Sequence, residues 1–302
     1  MKGHFVHAEP EVRHWLAPRI LAAWCWVGSL IACSLASPCQ ATNAGTDGLH
    51  SDEVTQIVVS MKESPEDFSN AAYFNQLLEL VLDKTIPAYG PYQLERVGVI
   101  SVENRLLREI ELGRIDLTWL PYQRNPSHNL RPIPIRLLKH LSDYRVFLIR
   151  PGEQERFSSV KSLEDLRQLR GGVGTHWPDK AVMEFNELPL VASLSYQGLF
   201  RMLVAGRFDY FSRGIYQALP EVTRYPDIDV ALEEDLLLYY ESPVYFFVRA
   251  DNEQLAQRLE QGLKAAVADG SFDELFTQFP RMVWAEAELA SKKRRVIELA
   301  VP

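Results

Sequence analysis

A repeated turn constrains this chain more than any other feature. Residues 112–119 read Leu-Gly-Arg-Ile-Asp-Leu-Thr-Trp, and residues 205–212 read Ala-Gly-Arg-Phe-Asp-Tyr-Phe-Ser. In each, a Gly-Arg pair follows an apolar-rich stretch (Leu106, Leu107 and Ile110; Phe200, Leu203 and Val204) and precedes a short apolar run opened by Asp. Glycine just past a helix takes positive φ without a Cβ clash, so it ends the helix there. The run that follows is too apolar for a sheet edge and suits a strand buried on both faces, as in a parallel sheet. Two such units, 93 residues apart, predict two similar α/β halves with the functional surface where they face each other.

The flanking sequence supports that division. Residues 54–60 are β-branched and read as a first strand. Phe74, Leu77, Leu78, Val81 and Leu82 have helical spacing, and residues 93–100 read as a second strand. With the first Gly-Arg turn this makes β-α-β-α-β, the order of a parallel sheet covered by helices. Four prolines follow (Pro121, Pro126, Pro132, Pro134), then a strong strand at 144–150 and a boundary at Pro151-Gly152. The second half opens with a short helix capped by Ser162, a Gly-rich strand at 171–174 and a helix begun by Pro178. Residues 236–249 read as one extended stretch, and Leu255, Leu259, Leu263 and Val267 mark an amphipathic helix. Residues 286–302 are helical in tendency, with the basic run 292–295 on a solvated face.

The first 41 residues are a different material. Arg13 and Arg19 precede an apolar run at 20–36, and small residues follow to Ala41, the pattern of a secretory signal peptide. The run is short for a membrane span, though a retained anchor is an alternative reading. Leu30-Ile31-Ala32-Cys33 also resembles a lipobox, which would leave Cys33 lipidated. All three cysteines lie in this segment, so its removal leaves a chain without thiols. The whole chain carries a net charge of −8, and removing the basic leader takes it to about −9. An acidic, exported protein of this kind is not expected to bind nucleic acid, which needs a basic surface.

Five stretches in order resemble the periplasmic solute-binding proteins of the amino-acid type, family 3. They are RLLREIELGRIDLTWL (105–120), SSVKSLEDLRQLRGGVGTHW (158–177), YQGLFRMLVAGRFDYF (196–211), SPVYFFVRADN (242–252) and LKAAVADGSFDELF (263–276). The resemblance covers about residues 54–280. It implies an α/β, two-lobe periplasmic-binding-protein-like (type II) fold with mostly parallel sheets flanked by helices. Residues 54–148 plus 243–302 would form lobe 1 and residues 149–240 an inserted lobe 2. Two crossing strands, near 144–150 and 236–248, would join the lobes. A ligand would lie in the cleft outside the strand C-terminal ends, and the lobes would close on it by hinge motion.

The chain departs from that family where the ligand is held. Family members that bind amino acids place a Thr-x-x-Arg segment after the first Asp-led strand, and its Arg grips the ligand carboxylate. Here the segment runs Thr118-Trp119-Leu120-Pro121-Tyr122-Gln123-Arg124. The family's ammonium-holding Asp corresponds to Gly214, and a cation, Arg213, stands beside it. A ligand with polar or anionic groups suits Arg213 better than a standard amino acid.

The candidate ligand-binding residues are therefore Trp119, Tyr122, Arg124, Thr175, His176, Trp177 and Arg213. Trp119 and Tyr122 would form an aromatic platform and Arg124 an anion clamp. Thr175, His176 and Trp177 would sit at a helix N-terminus, whose free N–H groups favour anions. A salt bridge from Arg213 to Glu221 or Glu241 is the competing reading. Asp116 and Asp209 read as structural, pairing with turn N–H groups. No nucleophile motif, phosphate loop, metal-ligand cluster or cofactor fingerprint is visible, so neither catalytic residues nor cofactors are expected. The sequence thus points to a monomeric, periplasmic, non-enzymatic solute-binding protein, serving an ABC-type permease or a sensor partner. The alternatives are a dehydratase-like enzyme on the same fold and an envelope protein with a vestigial cleft.

Overall fold

The computed structural model describes residues 54–60, 68–98, 100, 103–122, 129–224 and 227–302. The signal-peptide and lipobox readings, and Arg124, lie outside these residues. The first lobe begins with Thr55–Ser60 (β1), Phe68–Lys84 (α1), Ile86–Tyr89 (α2), Tyr92–Val97 (β2), Glu103–Glu111 (α3), Leu117–Pro121 (β3) and Leu130–Ile133 (β4). The second lobe contains Tyr144–Ile149 (β5), Gln154–Ser158 (α4), Leu163–Leu166 (α5), Gly171–Gly174 (β6), Pro178–Phe185 (α6) and Leu190–Ser193 (β7). It continues with Tyr196–Val204 (α7), Tyr210–Gly214 (β8), Ile215–Arg224 (α8), Ala231–Leu232 (β9) and Leu236–Tyr239 (β10). Val244–Arg249 (β11), Glu253–Ala268 (α9) and Ser271–Thr277 (α10) return to the first lobe, and Pro280–Ser291 (α11) leads to Arg295–Glu298 (β12).

Both Gly-Arg turns fold as anticipated, and they fold alike. Gly113 and Gly206 each have φ of 68°. Gly113 N–H donates to Ile110 O and Arg114 N–H to Glu109 O, while Gly206 N–H donates to Leu203 O and Arg207 N–H to Met202 O. These paired bonds are the Schellman closure of a helix C-terminus. The following aspartates are also equivalent. Asp116 N–H donates to Val58 O at 2.8 Å, and Val58 N–H returns a bond to the Asp116 carboxylate at 2.7 Å. Asp209 makes the same exchange with Arg170, at 2.8 and 2.7 Å. Each carboxylate thereby supplies an acceptor for a neighbouring N–H where the next ladder begins, β1 to β3 and β6 to β8.

The first sheet runs β2-β1-β3-β11-β4, with β1 parallel to β2 and β3, and β11 antiparallel to β3 and β4. β4 takes up part of the proline-rich segment as an edge strand, where Pro132 costs no central ladder bond. α1 and α9 pack together against this sheet, with Leu77, Leu78, Val81, Leu82, Leu259 and Leu263 fully buried. The second sheet runs β12-β10-β5-β8-β6-β7, with β9 also on β5.

Three expectations are corrected. Residues 144–148 and the tail are expected in the first lobe, but β5 pairs with β8 and β10, and β12 is a parallel edge strand on β10 in the second sheet. The extended run at 236–249 is two strands in two sheets. It breaks at 240–243, where Pro243 has no N–H to extend a ladder. The basic run is not a solvated face throughout. Arg294 is buried against Glu288 (2.9 Å) and Glu233 (3.6 Å), and the tail after it is knitted to the second lobe. Leu299 N–H donates to Tyr239 O, and Asn186 exchanges two side-chain bonds with the Ala300 backbone (2.8 and 3.0 Å). The chain therefore crosses between lobes three times, the third time after α11, which packs on α10 and on α8.

Candidate functional site

The crossovers carry their own polar network. Asp143 precedes β5 and is 1% exposed. Its carboxylate receives Arg136 Nη1 (2.5 Å) and Ser242 N–H (2.9 Å), and its carbonyl receives Tyr240 N–H (3.1 Å). Arg136 reaches on to Glu241 (3.1 Å). Two crossing segments are thus clamped to each other by one buried carboxylate, which fixes the floor between the lobes.

Beside that floor opens a cavity of about 620 Å³. Pro121, Tyr122 and Tyr245 wall it from the first lobe, residues 240–243 from the crossover, and residues 175–178 with one face of α6 from the second lobe. Val301 and Pro302 close one end. The volume falls in the range of about 300–1,000 Å³ usual for small-molecule sites.

Four of the seven sequence-derived candidates meet here: Tyr122, Thr175, His176 and Trp177. Tyr122 packs edge-on against Tyr245, with ring centres 5.8 Å apart. His176 is exposed at the turn before α6, and Thr175 N–H is already used, donating to Ser193 O at 3.0 Å. Trp177 is the helix N-cap residue, and its indole lies back over the strand ends. It stacks on Phe211 at 5.9 Å and 18°, and crowds Gly174 so closely that any Cβ there would collide with the ring. That packing explains a glycine at the end of β6.

Trp119 is not a cleft residue. It is 6% exposed and stacks on Phe74 at 5.1 Å in the first-lobe core. Its place inside β3 decides this: the side chain lies on the face that α1 covers, two residues short of the strand end. Arg213 is likewise taken. Its Nε and Nη2 grip both oxygens of Glu221 at 2.7 and 2.6 Å, and Tyr196 donates its hydroxyl to the same carboxylate at 2.8 Å. Trp177 lies over the guanidinium at 4.6 Å, with Tyr196 and Phe211 at 5.3 and 5.1 Å. The cation expected to greet a ligand is neutralised and roofed by an indole.

Sequence reasoning missed Tyr245, Ser242, Lys180 and Glu184, all of which wall the cavity. Tyr240, on the crossover, both packs and lines. Its hydroxyl donates to the Asp179 carboxylate, and its ring carries the Arg145 guanidinium at 4.7 Å. Burial pushes the Tyr240 hydroxyl well up and keeps it protonated. For Asp179, burial works to raise the carboxyl, but Arg145 (2.7 Å) and the Tyr240 hydroxyl outweigh it and hold it below its ordinary range. The signal available was Ser242-Pro243, a strand breaker inside an apolar run, which marks the crossover that forms the floor. Among the described residues no group of three His, Cys, Asp or Glu side chains could hold a metal ion.

No protein-family model matches the chain, and no curated protein matches it. Solved structures do. A probable amino-acid ABC transporter extracellular-binding protein from Bacillus subtilis aligns over 75% of this chain and 98% of its own, at 15% identity and a TM-score of 0.56. The histidine kinase sensor domain with similarity to periplasmic binding proteins covers 76% and 97%, at 16% identity and 0.52. An ancestral amino acid-binding protein, a precursor of cyclohexadienyl dehydratase, covers 75% and 95%, at 15% identity and 0.52. At this identity the likeness establishes the fold: two α/β lobes of the periplasmic-binding-protein type.

Proposed function

We propose that this two-lobe chain is an exported solute-binding protein. It holds a small polar molecule in the interlobe cavity and serves an uptake permease or a sensor. The observation that carries the reading is the 620 Å³ cavity walled by both lobes and by the crossover between them. A ligand there contacts both lobes at once, which is how such a fold converts binding into a change of lobe geometry. Structural neighbours that bind amino acids for transport, or that form a sensor domain, support both uses.

Binding is favoured over catalysis by the state of the cavity acids. Both side-chain carboxylates that line the cavity are ion-paired and more than half exposed, Glu241 with Arg136 at 3.1 Å and Glu184 with Lys180 at 2.5 Å, rather than enclosed as a desolvated general acid would be. A vestigial cleft is disfavoured because the cavity remains open even though Trp177 fills the strand-end position beside it. Thermal-shift screening of the purified chain against a metabolite panel tests the reading, since a ligand specific to the folded state raises the melting temperature. A stabilising ligand whose effect is lost with Tyr122→Ala and Tyr245→Ala supports it. A panel without a hit, together with unchanged X-ray scattering, overturns it.

A further inference from the structure

We infer that the cavity selects a neutral, planar aromatic or heteroaromatic molecule with hydrogen-bonding substituents, held between the Tyr122–Tyr245 pair and Trp177. This rests on the proposed solute-binding role and narrows its ligand.

The walls supply the first argument. Five ring-bearing residues line the cavity: Tyr122 and Tyr245 from the first lobe, Trp177 and His176 from the second, and the largely buried Tyr240 at the floor. Pro121, Pro178 and Pro243 add rigid apolar surface around them. Aromatic faces with rigid surrounds favour a flat partner, because stacking needs no reorganisation of flexible side chains. The rings are themselves fixed. Tyr122 and Tyr245 brace each other, and Trp177 is backed by Phe211 and by the Arg213 guanidinium.

Charge supplies the second. The charged side chains of Lys180, Glu184 and Glu241 at the wall are ion-paired, Lys180 with Glu184 at 2.5 Å and Glu241 with Arg136 at 3.1 Å. Arg213, just behind Trp177, is bound by Glu221 on two hydrogen bonds. A zwitterion brought here would lose hydration against groups whose charge is committed elsewhere, and that loss is large for ions. Hydrogen-bonding substituents fare better. The hydroxyls of Tyr122, Tyr245, Thr175 and Ser242, all lining residues, offer neutral donors and acceptors. Burial raises the Tyr245 hydroxyl, so it stays a neutral donor through the physiological range.

Size is the third. A cavity of about 150 Å³ holds a benzene. The 620 Å³ found here has room for two or three linked or fused rings with substituents, and is generous for one amino acid.

The test compares indole, adenine and 4-hydroxybenzamide with L-arginine, L-glutamine and L-glutamate, by thermal shift and by tryptophan fluorescence titration. The aromatic set should raise the melting temperature and quench fluorescence, while the amino acids leave both unchanged. Tyr122→Ala and Tyr245→Ala should each weaken aromatic binding by about three- to tenfold, the value of one aromatic contact. Tyr245→Phe, which keeps the ring and loses only the hydroxyl, should weaken binding less than Tyr245→Ala does. Circular dichroism of the unliganded variants shows that each is folded. Binding of the amino acids without the aromatic set overturns this inference and leaves solute binding standing. Aromatic binding indifferent to both alanine variants overturns it as well. Failure of both sets, in a chain that also gives no hit on a wider panel, removes the solute-binding reading itself.

Discussion

Replacing Glu221 by alanine would strand a buried cation, and the cost can be worked from the geometry. Arg213 and Glu221 side chains are only 8% and 5% exposed, and they meet on two hydrogen bonds of 2.7 and 2.6 Å. Loss of the carboxylate leaves the guanidinium desolvated and removes the acceptor of the Tyr196 hydroxyl. Breaking one side of such a pair costs about 3–5 kcal/mol. Three rings within 5.3 Å of the guanidinium remain and offset part of this, so the lower end, about 3 kcal/mol, is expected. For a chain of this size that corresponds to roughly 6–12 °C in melting temperature. Urea and thermal unfolding measure it. The double variant Arg213→Met/Glu221→Leu should recover most of the loss, because it buries no lone charge. A Glu221→Ala variant within about 1 kcal/mol of the parent would refute the reasoning, since only a solvated Arg213 tolerates the loss of its partner so easily. Arg213 would then return as a cleft residue.

Further outcomes follow from the paired turns and the tail. Gly206→Ala should cost about 1–2 kcal/mol through backbone strain alone, since φ is +68° and nothing lies within 4 Å of the added Cβ. Gly113→Ala should cost about the same, because the group it displaces is the movable end of Arg249, and chemical denaturation of the two variants compares them. The two structural aspartates should titrate in opposite directions, which carboxyl-detected NMR can follow. Burial raises Asp116 against the Val58 N–H and Arg249. Burial also works to raise Asp209, but the Arg170 N–H and Arg156 outweigh it and hold it low. Asp209 therefore adds stability above the unfolded value of about 3.9, and that is lost as pH falls through its lower folded value. Asp116 does the reverse, its contribution declining as pH rises through its raised folded value. Arg294→Met should cost about 3 kcal/mol in urea unfolding, because it leaves the fully buried Glu233 without its guanidinium.

What the sequence determined by itself is what a few neighbouring residues can decide. Glycine at the helix end and aspartate at the strand start fixed both turns, because every partner of the helix closure lies within five residues. The Ser162–Asp165 capping box, the Pro178 helix start and the Asn252 cap are legible for the same reason. Repetition of one unit then implied two lobes, and the order of five motifs implied their type.

Tertiary structure decided which side chains reach the cleft. Trp119 and Tyr122 look alike as aromatics near one strand, yet Trp119 lies inside β3 and packs on Phe74 in the core, while Tyr122 lies past the strand end at the cavity. For Arg213 the sequence left two readings open, and the fold chose the competing one: α8, despite Pro220 inside it, brings Glu221 onto the guanidinium. Tyr245 and the tail reach the cavity only because β11 and β12 join separate sheets, through pairings as distant in sequence as Leu117 with Val248 and Leu236 with Arg295. Local propensity cannot rank such pairings. They are chosen by how much apolar surface the whole chain buries, and that sum exists only once both sheets are assembled.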